Sequence, residues 1–291
     1  MRPSVNQKSI HRLARKVLSR DHPKPADHRE DPRHALLAEE QRDRRLGPGD
    51  PPPCPDGWQV GPPTYVGIGV QKAGTTWWHK AIASHPDAAQ SARKELHFFQ
   101  YYCDQEFDER RVAEYHSFFP RSGHQFIGEW TPRYMLDPWT ASRLHQSAPE
   151  ARLLVLLRDP MARMNSALRH SVEKYGWLSP RVIALAIERS CYVDQLDRVL
   201  RWFPRDQVLV LQFEKCVQEP EAELARTFQF LGVDPGFVPK DLRRPVNETR
   251  VTAVTVASDI QDLARELFVA DRERIRSDWP ELDIDLWPGL R

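Results

Sequence analysis

The stretch Tyr65-Val66-Gly67-Ile68-Gly69-Val70-Gln71-Lys72-Ala73-Gly74-Thr75-Thr76 reads as a buried strand that breaks into a loop suited to holding an anion. A short apolar run ends in glycines; a lysine, a glycine and two hydroxyl side chains then open a helical pattern over residues 77–84. A helix start presents unpaired N–H groups and the positive end of the macrodipole, where phosphate-like groups bind. Lys72, inside the loop, is expected to reach the oxygen bridging two anionic groups of a bound donor and to stabilise the charge left there as that bond breaks. Thr75 and Thr76 are expected to hold the terminal phosphate.

Working outward, the apolar runs 153–157 and 208–211 read as two more buried strands. Helical patterns cover 139–147, 162–174, 181–202, 221–231 and 260–276. Such alternation predicts an α/β fold, a parallel sheet flanked by helices, with its ligand at the carboxyl ends of the strands. Thr75 and Arg158 both follow strand ends and are expected to face one crevice. Ser166 lies two helical turns beyond Arg158, so a guanidinium and a hydroxyl would share one phosphate. Asp159, followed by Pro160, reads as a helix N-cap rather than a strand-end metal ligand. A nucleoside-triphosphatase loop is disfavoured as well: Gly69 and Gly74 have its spacing, but Thr75 stands where its lysine belongs.

In Lys94-Glu95-Leu96-His97-Phe98-Phe99, an extended chain would put Glu95 and His97 on one side. Aromatic surroundings would raise the carboxyl's pKa and improve it as a base.

These segments together resemble the sulfotransferases that use 3′-phosphoadenosine-5′-phosphosulfate (PAPS). The loop resembles their 5′-phosphosulfate loop. Lys94 to Phe99 resembles the KExHFF element of the heparan sulfate and related carbohydrate enzymes, Gly128-Glu129-Trp130-Thr131-Pro132-Arg133-Tyr134 their EKTPxY segment, and residues 152–166 their LLxLRDPxxRxxS element. The resemblance runs from about Tyr65 to the C-terminus. It implies a P-loop-like three-layer fold, PAPS as donor and no metal. Gln71, Lys72, Ala73, Gly74, Thr75 and Thr76 would bind the donor's 5′ end, Arg158 and Ser166 its 3′-phosphate. Glu95 would be the base, supported by His97, with Trp130 and Tyr134 beside the acceptor. Two departures stand out. Trp130 replaces the EKTP lysine, which suggests a less anionic acceptor stacking on the indole, or a weakened transfer step. Val246-Asn247-Glu248-Thr249-Arg250 resembles a nucleotide-covering NKTKG stretch, with Arg250 in place of the last lysine and Val251 in place of glycine.

Lys+Arg 42 against Asp+Glu 41 leaves a formal charge of +1 over 291 residues, so no general field for nucleic acid exists and any anion site is local. Four widely spaced cysteines suggest neither a metal site nor a disulfide framework. No stretch approaches the ~20 apolar residues of a membrane span, and no signal-peptide core is present; set against the membrane-anchored Golgi members of the resembled family, this implies a soluble, cytoplasmic relative, with which a bacterial source would fit. Residues 1–60 are expected to form an N-terminal extension and 61–291 the sulfotransferase domain. Ten prolines between 21 and 64 argue against a core there. Ile10, Leu13, Ala14, Val17 and Leu18 sit at helical spacing among basic residues. That short helix reads first as docked on its own domain and secondly as a weak contact with an anionic membrane surface. The expected function is sulfuryl transfer to a hydroxyl or amine of a carbohydrate, glycolipid or small metabolite. The rivals are a magnesium-dependent P-loop kinase or NTPase, and a non-catalytic protein binding 3′-phosphoadenosine-5′-phosphate (PAP).

Overall fold

The computed structural model describes residues 48–89, 94–103, 105–123, 125–244 and 251–291. The N-terminal amphipathic pattern and Arg250 therefore lie outside the described residues.

Four parallel strands form the sheet: β2 (Tyr65–Gly69), β4 (Gly128–Trp130), β5 (Arg152–Leu157) and β6 (Val208–Gln212), in the order β4-β2-β5-β6. Every residue of β2 is buried, as is Leu153 to Leu157 in β5, because helices cover both faces and leave no polar side of the strands. The three strands read from apolar runs are present; β4 is an addition. It pairs with β2 through Tyr65↔Gly128 and Gly67↔Trp130. Gly67 permits this, since a Cβ there would lie 2.0 Å from the Trp130 ring. A two-stranded antiparallel ladder joins β1 (Gln59–Val60) to β3 (Pro120–Arg121), so the folded unit reaches two residues before position 61.

Among the described residues the helices are α1 (Thr75–Ala83), α2 (Glu109–His116), α3 (Thr140–Ser147), α4 (Pro160–Tyr175), α5 (Pro180–Glu188), α6 (Val193–Leu200), α7 (Phe213–Gln218), α8 (Pro220–Leu231) and α9 (Ser258–Asp278). The single helix expected over 181–202 is two. Tyr192 donates its hydroxyl hydrogen to Arg158 O (2.8 Å), and Asp271 of α9 accepts the Val193 N–H (3.4 Å). Tertiary contacts thus pin residues 190–192 between two helix axes where no glycine or proline marks a break. Asp159 caps α4 as expected, its Oδ1 accepting the Ala162 N–H at 2.7 Å with Pro160 in the first turn.

All four strands point the same way. The loops after β2, β5 and β6 and the turn after β4 therefore open at one edge of the sheet, which concentrates the candidate residues there.

Candidate active site

The loop after β2 is shaped by two left-handed residues, Lys72 (φ 72°) and Gly74 (φ 85°). Gly74 caps α1 without a side chain, and a Cβ there would lie 2.9 Å from the Phe213 ring. No acidic residue occupies the first turn of α1. Its opening N–H groups, on Thr75 and Thr76, thus face the edge with no carboxylate beside them to offset the helix dipole.

Cations converge on this turn. Arg158, at the end of β5, donates from Nη1 to Lys72 O (3.2 Å) and lies 4.6 Å from the centroid of the Phe213 ring. Its Nε is buried without a hydrogen-bond partner. Burial lowers the pKa of Lys72, which Glu173 partly offsets and the positive charges of Arg158, Arg163 and Arg169 lower further. Burial likewise lowers that of Arg158, to which Arg169 adds. Crowded, partly desolvated like charges beside an open helix start form a site whose electrostatics improve when an anion arrives. Ser166 lies on the buried face of α4, together with Arg163.

Arg163 is a functional residue that the sequence does not mark. It is fully buried, and burial lowers its pKa to about 10. Its Nε donates to Ser190 Oγ (2.6 Å), Nη1 to Gln71 O (3.3 Å) and Nη2 to Ala186 O. The anion loop is thereby tied to α5. Gln71 itself turns outward, its Oε1 accepting from Arg189. The only sequence signal for Arg163 was its place in the run Arg158 to Ser166; nothing in an apolar helix face announces that an arginine will point inward.

Glu95 and His97 meet, but not by the expected route. Residues 95–97 are not extended: Glu95 (φ 62°) and His97 (φ 55°) are left-handed, and a 3-10 turn, Phe98–Tyr102, follows. His97 Nε2 lies 3.6 Å from Glu95 Oε2, and Lys94 Nζ pairs with Glu95 Oε1. The expected rise in the carboxyl's pKa is also reversed. Burial pushes it up, but the hydrogen bond from His97 and the charge and hydrogen bond of Lys94 outweigh this and hold it at about 2. His79 of α1 senses both residues: burial lowers its pKa to about 4, with Lys94 lowering it further and Glu95 raising it. The Glu95 segment therefore flanks the helix that opens at the anion loop.

Trp130 and Tyr134 do not face an acceptor. Trp130 is fully buried over Gly67, whose lack of a side chain leaves the space its indole fills, and it donates from Nε1 to Gly69 O (3.2 Å). Tyr134 is 2 % exposed and its hydroxyl is used inside the core. Both expected acceptor contacts are corrected to structural supports of the site.

A family model described as a sulfotransferase family matches residues 63–237. The chain belongs to the sulfotransferase family. It is similar to heparan sulfate glucosamine 3-O-sulfotransferase 6 of Homo sapiens, 30% identical over 185 residues that cover 59% of this chain and 52% of the relative. The protein of the same name from Mus musculus is 29% identical over 225 residues, covering 72% of this chain and 62% of the relative. The chain thus spans about half to three-fifths of the length of these curated relatives. Among solved structures, a sulfotransferase from Alicyclobacillus acidocaldarius superposes with a TM-score of 0.62 at 25% identity, covering 78% of this chain and 99% of that one. Membership and the α/β fold with its central parallel sheet agree with the sequence reading. Among the described residues no helix is long and apolar enough to cross a membrane.

Proposed function

We propose that this sulfotransferase moves a sulfuryl group from PAPS to a hydroxyl or amine of an acceptor. The observation that carries the reading is the convergence of Lys72 and Arg158 on the open start of α1, with the Arg158 Nε buried and unpartnered. A nucleotide bearing several anionic groups fits that donor set. The Thr75 and Thr76 amides and hydroxyls, with the Gln71 to Gly74 loop, would take its 5′-phosphate, and Arg158 with Ser166 its 3′-phosphate. Trp77 and Phe213, 6.5 Å apart and edge-on, stand beside Gly74 and Arg158 and offer aromatic surface to a base.

In the transfer the bond between sulfur and the bridging 5′-phosphate oxygen breaks and one to the acceptor oxygen or nitrogen forms. Lys72 stabilises the bridging oxygen as it gains charge, and Glu95 with His97 takes the acceptor's proton. Since Glu95 is ion-paired at rest, binding of the acceptor has to draw Lys94 aside before the carboxylate regains basicity.

For the acceptor we favour a glycan, in line with the heparan sulfate glucosamine named for the relatives. With Trp130 inside the core, the EKTP position supplies no cation, which supports a weakly anionic acceptor. Among the described residues no disulfide joins Cys54, Cys103, Cys191 or Cys216, and we place the chain in a reducing cytoplasm, which cell fractionation checks. Labelled PAPS offered with neutral and sulfated oligosaccharides, amines and phenols tests the reading. Metal-independent transfer supports it; PAP binding without turnover on any acceptor leaves the non-catalytic rival.

A further inference from the structure

Glu129 is wholly buried, and no step of the transfer uses it. Its Oε1 accepts the hydroxyls of Tyr115 and Tyr134, each at 3.0 Å, and its Oε2 accepts Thr131 Oγ1 (2.5 Å) and the Leu96 N–H (3.3 Å). Two of those partners reach onward. Thr131 Oγ1 accepts the His97 N–H at 3.3 Å, and Tyr134 Oη accepts the Phe98 N–H at 2.9 Å. Three consecutive amides, those of Leu96, His97 and Phe98, therefore end on side chains of one short segment at the end of β4.

This capture has a reason in the backbone. Residues 94–97 lie in no strand or helix, and Glu95 and His97 hold left-handed angles that side-chain-bearing residues rarely adopt. Amides in such a run find no ladder, so an outside acceptor must take them. The surroundings sharpen the point. Phe99 packs against Tyr115 and Tyr134 with ring centroids 4.6 and 5.1 Å away, and in such an aromatic core apolar residues would serve stability as well as a buried carboxyl does.

We infer that Glu129, acting through Thr131 and Tyr134, is a positioning residue: it fixes the Leu96–Phe98 backbone so that the Glu95 and His97 side chains meet, and thereby sets the transfer rate without touching donor or acceptor. The inference rests on the reading of Glu95 and His97 as the proton-accepting pair.

The test uses the full chain and the variants Thr131→Val, which removes the hydroxyl at nearly constant volume, Thr131→Ser, which restores it, and Tyr134→Phe. In Thr131→Val the His97 amide should exchange about 10-fold faster or more. The Glu95 carboxyl, followed by carbon-13 NMR, should titrate above its value of about 2 as His97 leaves it. The kcat should fall roughly 10- to 100-fold, with PAP affinity and the KM for PAPS unchanged, and Thr131→Ser should recover both rate and titration. Tyr134→Phe carries the same test at the Phe98 amide if Thr131→Val does not fold. Unchanged exchange and Glu95 titration in these variants overturn the inference, as does faster exchange at wild-type kcat. A wild-type chain that binds PAP but turns over no acceptor sinks the reading of the pair alone. Exchange and titration then still decide whether Glu129 holds the loop.

Discussion

Lys72 combines a left-handed backbone with a half-buried ammonium whose pKa is lowered by burial and by three nearby guanidiniums. Those penalties diminish when charge develops on a bound bridging oxygen, so its contribution should grow toward the transition state. Lys72→Ala should therefore cost about 10²-fold or more in kcat while PAP still binds, more weakly, by calorimetry; near-wild-type turnover would remove the lysine from the mechanism. Glu95 has a pH signature. Its folded pKa, about 2, lies below the ordinary carboxyl value of ~4.3, so its contribution to stability is fully present above that value and is lost as pH falls through 2. Glu95→Gln should flatten the loss of Tm between about pH 4.5 and 2 and lower kcat by roughly 10²–10⁴-fold at neutral pH. A larger kcat loss in His97→Ala than in Glu95→Gln would exchange their roles. At this scale the sequence located the groups better than their surroundings. Lysine, glycine and threonine at fixed spacing mark the loop, but positive φ at Glu95 and His97 leaves no sequence trace, and the inward turns of Trp130 and Arg163 depend on how closely β2, β4 and α5 approach.

Among the elements, the strands that the sequence reading recovers are runs of at least four residues without a charged side chain, the pattern of a strand covered on both faces. β4 escaped because it is three residues long with a carboxylate at its centre, and that carboxylate is satisfied by hydroxyls from α2 and the following turn, which no local pattern shows. The junction between α5 and α6 was missed for a similar reason: Asp271, a full helix away in α9, caps α6 through the Val193 N–H. Burial raises the Asp271 pKa to about 6; the hydrogen bond from Val193 and the charge of Arg274 pull down, and the carboxylates of Asp194 and Asp197 push up. A raised folded pKa favours the neutral acid, so the contribution is fully present below the unfolded value of ~3.9 and is lost as pH rises through 6. Asp271→Asn keeps an acceptor for Val193 and removes the charge. It should raise Tm by about 5 °C at pH 7.5 and leave it unchanged at pH 4; an equal gain at both would show that ionisation is not the cause.

Across the whole molecule, the site is braced from a distance in sequence. Asp159 Oδ2 accepts the Gly289 N–H (2.7 Å), while Glu214 accepts the Asp159 N–H (3.0 Å) and the Trp287 indole N–H (2.7 Å). The segment at 287–289 therefore steadies the turn that carries Arg158. A Cβ on Gly289 would lie 2.6 Å from Asp159 Oδ1 and 2.8 Å from Met161 Cβ. Gly289→Ala should lose about 1–3 kcal/mol of stability and weaken PAP roughly fivefold, about 1 kcal/mol, both measurable by calorimetry; unchanged PAP affinity would mean the brace does not reach the donor site. The parallel order of the sheet was legible from alternating patterns, but this brace was not, because it joins residues 130 positions apart through one backbone amide. It also bears on how the protein is made. At about 5–20 residues per second on the ribosome, Gly289 follows Gln212, the end of β6, by roughly 4 to 15 seconds, and the sheet with its anion loop waits that long for this brace. On the function proposed above, a nucleotide bound to the still unbraced loop would act first as a folding ligand and only later as a reactant.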